Sequence, residues 1–102
     1  MGKVYLIGTE NDQYKIGMTN GTVNERIEQL QVGNPLALEF VNEFETRHFK
    51  RVEKWLHRVY GAKRMEGEWF DLNEEDVANF SKHCQKGHDI YENLINAGNP
   101  FI

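Results

Sequence analysis

The chain has 102 residues, a hydrophobic content of 39%, an aromatic content of 12%, a single cysteine (Cys84) and a formal net charge of −4. That length predicts one domain with one modest core, and the composition excludes wholesale disorder. No apolar run nears the roughly 20 residues of a membrane span, and the lone cysteine and the absence of a signal pattern at Met1 predict a reducing, cytoplasmic setting.

The acidic sum argues against a broad electrostatic grip on nucleic acid. Yet residues 47–64 hold seven of the 12 Lys and Arg against one acidic residue. Charge alone leaves two readings open there, an ordinary exposed basic helix or a local phosphate-facing patch.

In chain order, Val4–Ile7 and Tyr14–Gly17 read as two short strands around the polar turn 9–13, a β-hairpin. Thr22-x-x-Glu25 is a capping box that starts a helix, with Val23, Ile27 and Leu30 as its buried stripe and Arg26 at the stripe's edge. Gly33-Asn34-Pro35 ends it. Leu36, Leu38, Phe40 and Phe44 then alternate with Ala37, Glu39, Val41, Glu43 and Glu45, the period of a half-buried strand. Thr46 is a cap for the next helix, whose apolar face is Phe49, Val52, Leu56, Val59 and Tyr60. Its other side carries Arg47, Lys50, Arg51, Lys54 and Arg58, with Glu53 at the margin and His57 one turn on. Gly61 ends this helix. After the basic loop around Lys63 and Arg64 comes the segment Gly67–Leu72. A last helix is expected from about Asn73, with Val77, Phe80, Cys84, Tyr91 and Ile95 in register and Gly87 as a weak point.

Tyr5 and Tyr14 fall on strands expected to pair, and Arg26 and Glu53 sit on the rims of helix stripes. Phosphodiester cleavage needs these residue types. An arginine fork stabilises a pentavalent phosphate, a carboxylate with waters anchors a hard cation, and a further group orients or deprotonates water. Each residue also has a plainer reading: packing for the tyrosines, an ion pair with Glu25 or Glu28 for Arg26, a solvated salt bridge for Glu53. Only convergence in space separates the two. His83, Cys84 and His88 lack the four-ligand spacing of a structural zinc site and read as a core cysteine beside surface histidines. Trp55 and Trp69 read as packing residues rather than base-stacking ones.

Lys3-Val4-Tyr5-Leu6-Ile7 followed by Tyr14-Lys15-Ile16-Gly17-Met18-Thr19 resembles the paired strand motifs of the GIY-YIG endonuclease superfamily. Arg26, the helix Glu53-Lys54-Trp55-Leu56-His57, and Arg64 with Glu68-Trp69-Phe70 are similar to that family's later motifs, as found in short phage and bacterial members. The resemblance covers residues 3–72. It departs at Lys3 and Val4, at the inserted Lys15, and at Met18, where many relatives carry a basic residue.

What the resemblance implies is an α+β fold, a small three-stranded, mainly antiparallel sheet flanked by helices. Residues 1–72 would form the nuclease core, and 73–102 a C-terminal helical extension packed on the same domain. It implies Tyr5 as general base or holder of the attacking water, Tyr14 in support, Arg26 on the scissile phosphate, Glu53 as ligand of one Mg²⁺ or Mn²⁺, and His57 as an accessory group. Gly17 would allow close backbone approach, and Lys15, Lys50 and Lys54 would line the substrate path. The leading expectation is thus an endonuclease of phage or mobile-element type acting on nucleic acid, DNA before RNA. Its salt-sensitive binding would be helped by a homodimer or protein partner. Two alternatives stay open: a non-catalytic nucleic-acid- or protein-binding module on the same fold, and an acidic protein that regulates a partner.

Overall fold

The computed structural model describes residues 1–98, so the last four residues of the expected 73–102 extension lie outside the described residues. It is an α+β fold with a four-stranded, fully antiparallel sheet in the order β3-β1-β2-β4. In chain order come β1 (Gly2–Gly8), β2 (Gln13–Thr19), α1 (Val23–Gln31), β3 (Glu39–Thr46), α2 (Phe49–Val59), β4 (Trp69–Asp71), α3 (Glu74–Ala78) and α4 (Phe80–Asn96).

β1 is central and covered on both faces. Val4 and Leu6, with Ile16 from β2, face α2 and α4 and join Val52, Leu56, Phe70, Phe80 and Cys84 in the main core. Tyr5 and Ile7 point the other way and pack with Val23 and Leu38 under α1. A strand buried on both faces reads as a continuous apolar run, as Val4–Ile7 does.

The expected three strands become four. Trp69–Asp71 pairs with Gln13–Lys15, after a return turn in which Gly67 takes φ +60° and the Met65 N–H donates to the Trp69 carbonyl at 2.9 Å. Three residues are too few to show a period of two, so the sequence carried no strand signal there.

The alternation expected for residues 36–45 is also broken. Ile7 pairs with Phe40 but Leu6 pairs with Asn42, leaving Val41 as a bulge. Leu38 and Phe40 therefore face the α1 side, whereas Phe44 packs on the main core and Phe40 is left 47% exposed. An extra residue in one strand swaps every later side chain to the opposite face.

At the helix ends, Thr22 accepts from the Glu25 N–H at 3.1 Å. Thr46 does not cap α2; His48 occupies that position. The expected last helix is two helices that break at Asn79, beside the fully buried Phe80. Gly87 is a point of close approach rather than a weak point. A Cβ there would lie 2.6 Å from Trp55 Cδ1, and the Trp55 indole N–H donates to the His83 carbonyl at 3.1 Å, docking α4 onto α2. Cys84 is a core residue whose thiol burial pushes up to about 12. No helix among the described residues is long and apolar enough to cross a membrane.

Candidate active site

Tyr5 lies opposite Gly17 in the β1–β2 ladder. A Cβ at position 17 would sit 2.5 Å from Tyr5 Cζ, so the missing side chain is what lets the phenol ring lie across β2. Its hydroxyl thereby arrives where β2 has run past β4, which pairs only with residues 13–15. Arg26, from α1, donates through Nε to that hydroxyl at 3.3 Å and through Nη1 to Gln29 Oε1 at 3.1 Å. The helix-rim position read from the sequence thus directs the guanidinium back over the sheet.

From the opposite face, α2 brings Glu53 and His57 to the same stretch of β2. In an antiparallel strand the N–H and C=O of one residue point the same way. The Ile16 N–H donates to the Glu68 carbonyl at 3.1 Å. The Ile16 carbonyl, having no further β4 residue to meet, lies 2.9 Å from His57 Nε2. A carbonyl only accepts, so Nε2 carries the proton. His57 therefore substitutes for a missing strand neighbour, and its Nε2 also lies 3.7 Å from Glu53 Oε1.

The same edge brings in Glu68, the residue before β4. Glu53, His57 and Glu68 each offer a ligand atom within 4.8 Å of the others. Lys15 Nζ pairs with Glu68 Oε2 at 2.9 Å and lies 5.7 Å from the centre of the Trp69 ring. The sequence reading passed over Glu68 as a chemical residue, although it opens the Glu-Trp-Phe segment.

Burial raises the pKa of the Glu53 carboxyl and the nearby Glu68 charge adds to this, against the opposing pull of His57, Lys54 and Lys15. Glu53 is only 7% exposed and, among the described residues, has no Lys or Arg within ion-pair distance. A buried carboxylate crowded by another is an oxygen-donor set that a hard divalent cation fits. Tyr5 is 1% exposed, and its burial outweighs Arg26 in keeping the phenol above its ordinary pKa. It is a neutral hydroxyl at neutral pH.

Of the residues singled out from the sequence, Tyr5, Arg26, Glu53, His57, Lys15 and Gly17 are brought together. Tyr14 is not. It pairs with Gly8 and packs on the main core, where burial and then the charges of Asp12 and Glu74 raise its phenol pKa. Lys15, standing between Tyr14 and Ile16, sets the phenol one residue out of step with Gly17, and one residue in a strand is the opposite face.

Lys50 and Lys54 lie on the exposed side of α2, one turn apart, Lys54 close enough to Glu53 to favour its ionised form. Part of the basic segment is already neutralised. Arg47 grips Glu92 through two hydrogen bonds of 2.6 and 2.8 Å, holding that carboxyl down at about 2, and Lys63 pairs with Asp76. Among the described residues, Lys50, Arg51 and Lys54 form no ion pair. A surface hollow lies elsewhere, around Lys63, Arg64 and Asn73, and the cluster itself lies along the stretch of β2 beyond residues 13–15, which β4 leaves unpaired.

The family model of the T5orf172 domain matches residues 2–85. The chain belongs to the T5orf172 domain family. No curated protein and no solved structure matches it. The T5orf172 match spans the whole sheet, every residue of the cluster and the first part of α4. Membership points to a nuclease-like or nucleic-acid-binding role.

Proposed function

We propose that this T5orf172 domain is a metal-dependent endonuclease of the GIY-YIG type that hydrolyses DNA phosphodiester bonds. The observation that carries the reading is the meeting, at one sheet edge, of an arginine-bound phenol and a nearly buried carboxylate that has no Lys or Arg partner among the described residues. Glu53, Glu68, Arg26 and Tyr5 are supplied by four different segments, and burial together with the Glu68 charge works against the ionised form of Glu53 where they meet.

Glu53, with Glu68 beside it, would hold one Mg²⁺ or Mn²⁺ by oxygen donors, an ion that polarises the phosphate and neutralises developing charge. Arg26 binds the non-bridging oxygens of the scissile phosphate, and the planar fork matches their geometry. Drawing its guanidinium onto a phosphate releases Nε from Tyr5 and uncovers the phenol. The Tyr5 hydroxyl, kept protonated by burial, then orients the attacking water by hydrogen bonding, which assigns it positioning rather than a pre-formed phenolate base. His57, with Nε2 committed to the Ile16 carbonyl, fixes the strand edge beside the Glu53 carboxylate. Lys50 and Lys54 continue the phosphate path along α2, and Lys15 holds Glu68 in place.

The test is cleavage of supercoiled plasmid and single-stranded DNA with Mg²⁺ or Mn²⁺. The wild-type chain nicks the substrate, and Glu53→Ala or Arg26→Ala abolishes this without loss of the folded state. Activity that survives both substitutions overturns the assignment. Salt-sensitive binding that depends on Lys50, Arg51 and Lys54, without cleavage under either metal, would show a binding module instead.

A further inference from the structure

A second set of ligand-type side chains lies away from the sheet edge, where α4 crosses the β3–α2 corner. His48, in the link before α2, is buried; His88 and Glu92 are one turn apart on α4. Each of the three offers a ligand atom within 4.8 Å of the others. His48 Nε2 is 3.0 Å from Glu92 Oε1, and His88 Nε2 is 3.9 Å from the same oxygen. The ligand–ligand edge of a tetrahedral zinc site with bonds of 2.0–2.1 Å is about 3.4 Å, between those two distances. The two imidazole centres are 5.4 Å apart, and two rings bound through Nε2 to one such ion would stand about 5 Å apart.

The surroundings are built to match. His88 Nδ1 lies 2.7 Å from Thr46 Oγ1, which also accepts the His48 backbone N–H at 3.0 Å. Thr46 is 1% exposed. When the His88 Nδ1–H donates to this buried hydroxyl, Nε2 is left as the free acceptor, the outer hydrogen bond that metal-binding histidines use. Phe44 meets the edge of the His88 ring and Tyr91 flanks His48. The charged group facing the set is Arg47, on both oxygens of Glu92. Its side chain is 54% exposed, so it can keep Oε2 and yield Oε1, at a cost in cation affinity. His88 and Glu92 fall beyond residue 85, where the family match ends.

We propose that His48, His88 and Glu92 form an open, three-ligand zinc-type divalent cation site, with solvent in the fourth position, between α4 and the β3–α2 corner. Two imidazoles and one carboxylate favour zinc over the Mg²⁺ or Mn²⁺ suited to the all-oxygen pair Glu53 and Glu68, so the two sites differ in metal preference.

The experiment is calorimetric titration of the untagged full chain with Zn²⁺ in excess Mg²⁺, with Co²⁺ absorption as a report of tetrahedral nitrogen ligation. Expected are one equivalent bound and a melting temperature raised on the order of 10 °C at a hundredfold excess over Kd. Affinity should drop more than about tenfold in His88→Asn and Glu92→Gln and persist in Glu53→Gln. If Glu92→Gln fails to fold, His88→Asn, which keeps the Arg47–Glu92 pair, decides the matter alone. Absence of Zn²⁺ binding to the wild-type chain, or binding that survives His88→Asn and is lost in Glu53→Gln, overturns the proposal.

Discussion

Replacing Gly17 by alanine tests the proposed chemistry through a single methyl group. The new Cβ would stand 2.5 Å from Tyr5 Cζ and 2.9 Å from Cε1, against the 3.5–4.0 Å at which carbon atoms rest. The ring must retreat by about 1 Å. Its hydroxyl is held by Arg26 Nε at 3.3 Å, and a further ångström takes that pair out of hydrogen-bond range. Displacements of that size in a reacting constellation cost on the order of a hundredfold in rate. Overpacking the α1-side core costs about 1–3 kcal/mol, and each kcal/mol lowers the melting temperature by roughly 4–8 °C in a domain of this size. The assay pairs plasmid nicking in Mn²⁺ with thermal unfolding of the same preparation, both expected to fall. Unchanged melting would refute the close contact. Lower melting with undiminished nicking would refute a role for the phenol.

Four other outcomes follow from the geometry. Glu53→Gln should abolish cleavage yet raise the melting temperature at pH 7. The folded state holds Glu53 above the ordinary glutamate range, so the wild-type chain is relatively most stable below that range and loses the advantage as pH rises through the folded value. The gap between variant and wild type should therefore close near pH 4, as a pH series of melts would show. Tyr14→Phe, at the Gly8 end of the β1–β2 ladder beside Asp12 and Glu74, should leave the nicking rate within about twofold. Gly87→Ala should cost about 1–3 kcal/mol in urea unfolding by forcing Trp55 off α4. Charge removal at Lys50 and Lys54 should weaken DNA binding and lower its salt slope by about one for each phosphate no longer neutralised, measured by titration over a salt range.

Much of this arrangement was legible from residue patterns, and the exceptions have physical causes. The hairpin, the first helix, and the placement of Arg26 and Glu53 on stripe margins followed from apolar spacing, since burial enforces a period. The bulge at Val41 was not legible, because an inserted strand residue leaves composition unchanged while it reverses facing. β4 was too short to carry a period. Tyr14 misled because a tyrosine in the right motif says nothing of which face it takes; Lys15 beside it settles that by parity alone. Glu68 stayed hidden as a chemical residue because its neighbours in space, Glu53 and His57, are remote along the chain. The His48–His88–Glu92 group escaped for the same reason, His48 lying far from the helix that holds its companions.

β4 contributes only Trp69–Asp71 to the sheet, and Glu68 reaches the cluster through the backbone bond its carbonyl accepts from Ile16. A strand this brief at an outer margin unzips more readily than the doubly covered β1. Each unzipping would carry one carboxylate away from Glu53 and expose the Ile16 amide to solvent. Deuterium uptake at that amide would then count how often the constellation is whole, and substitutions that slow the uptake would enlarge the competent fraction without touching a reacting group.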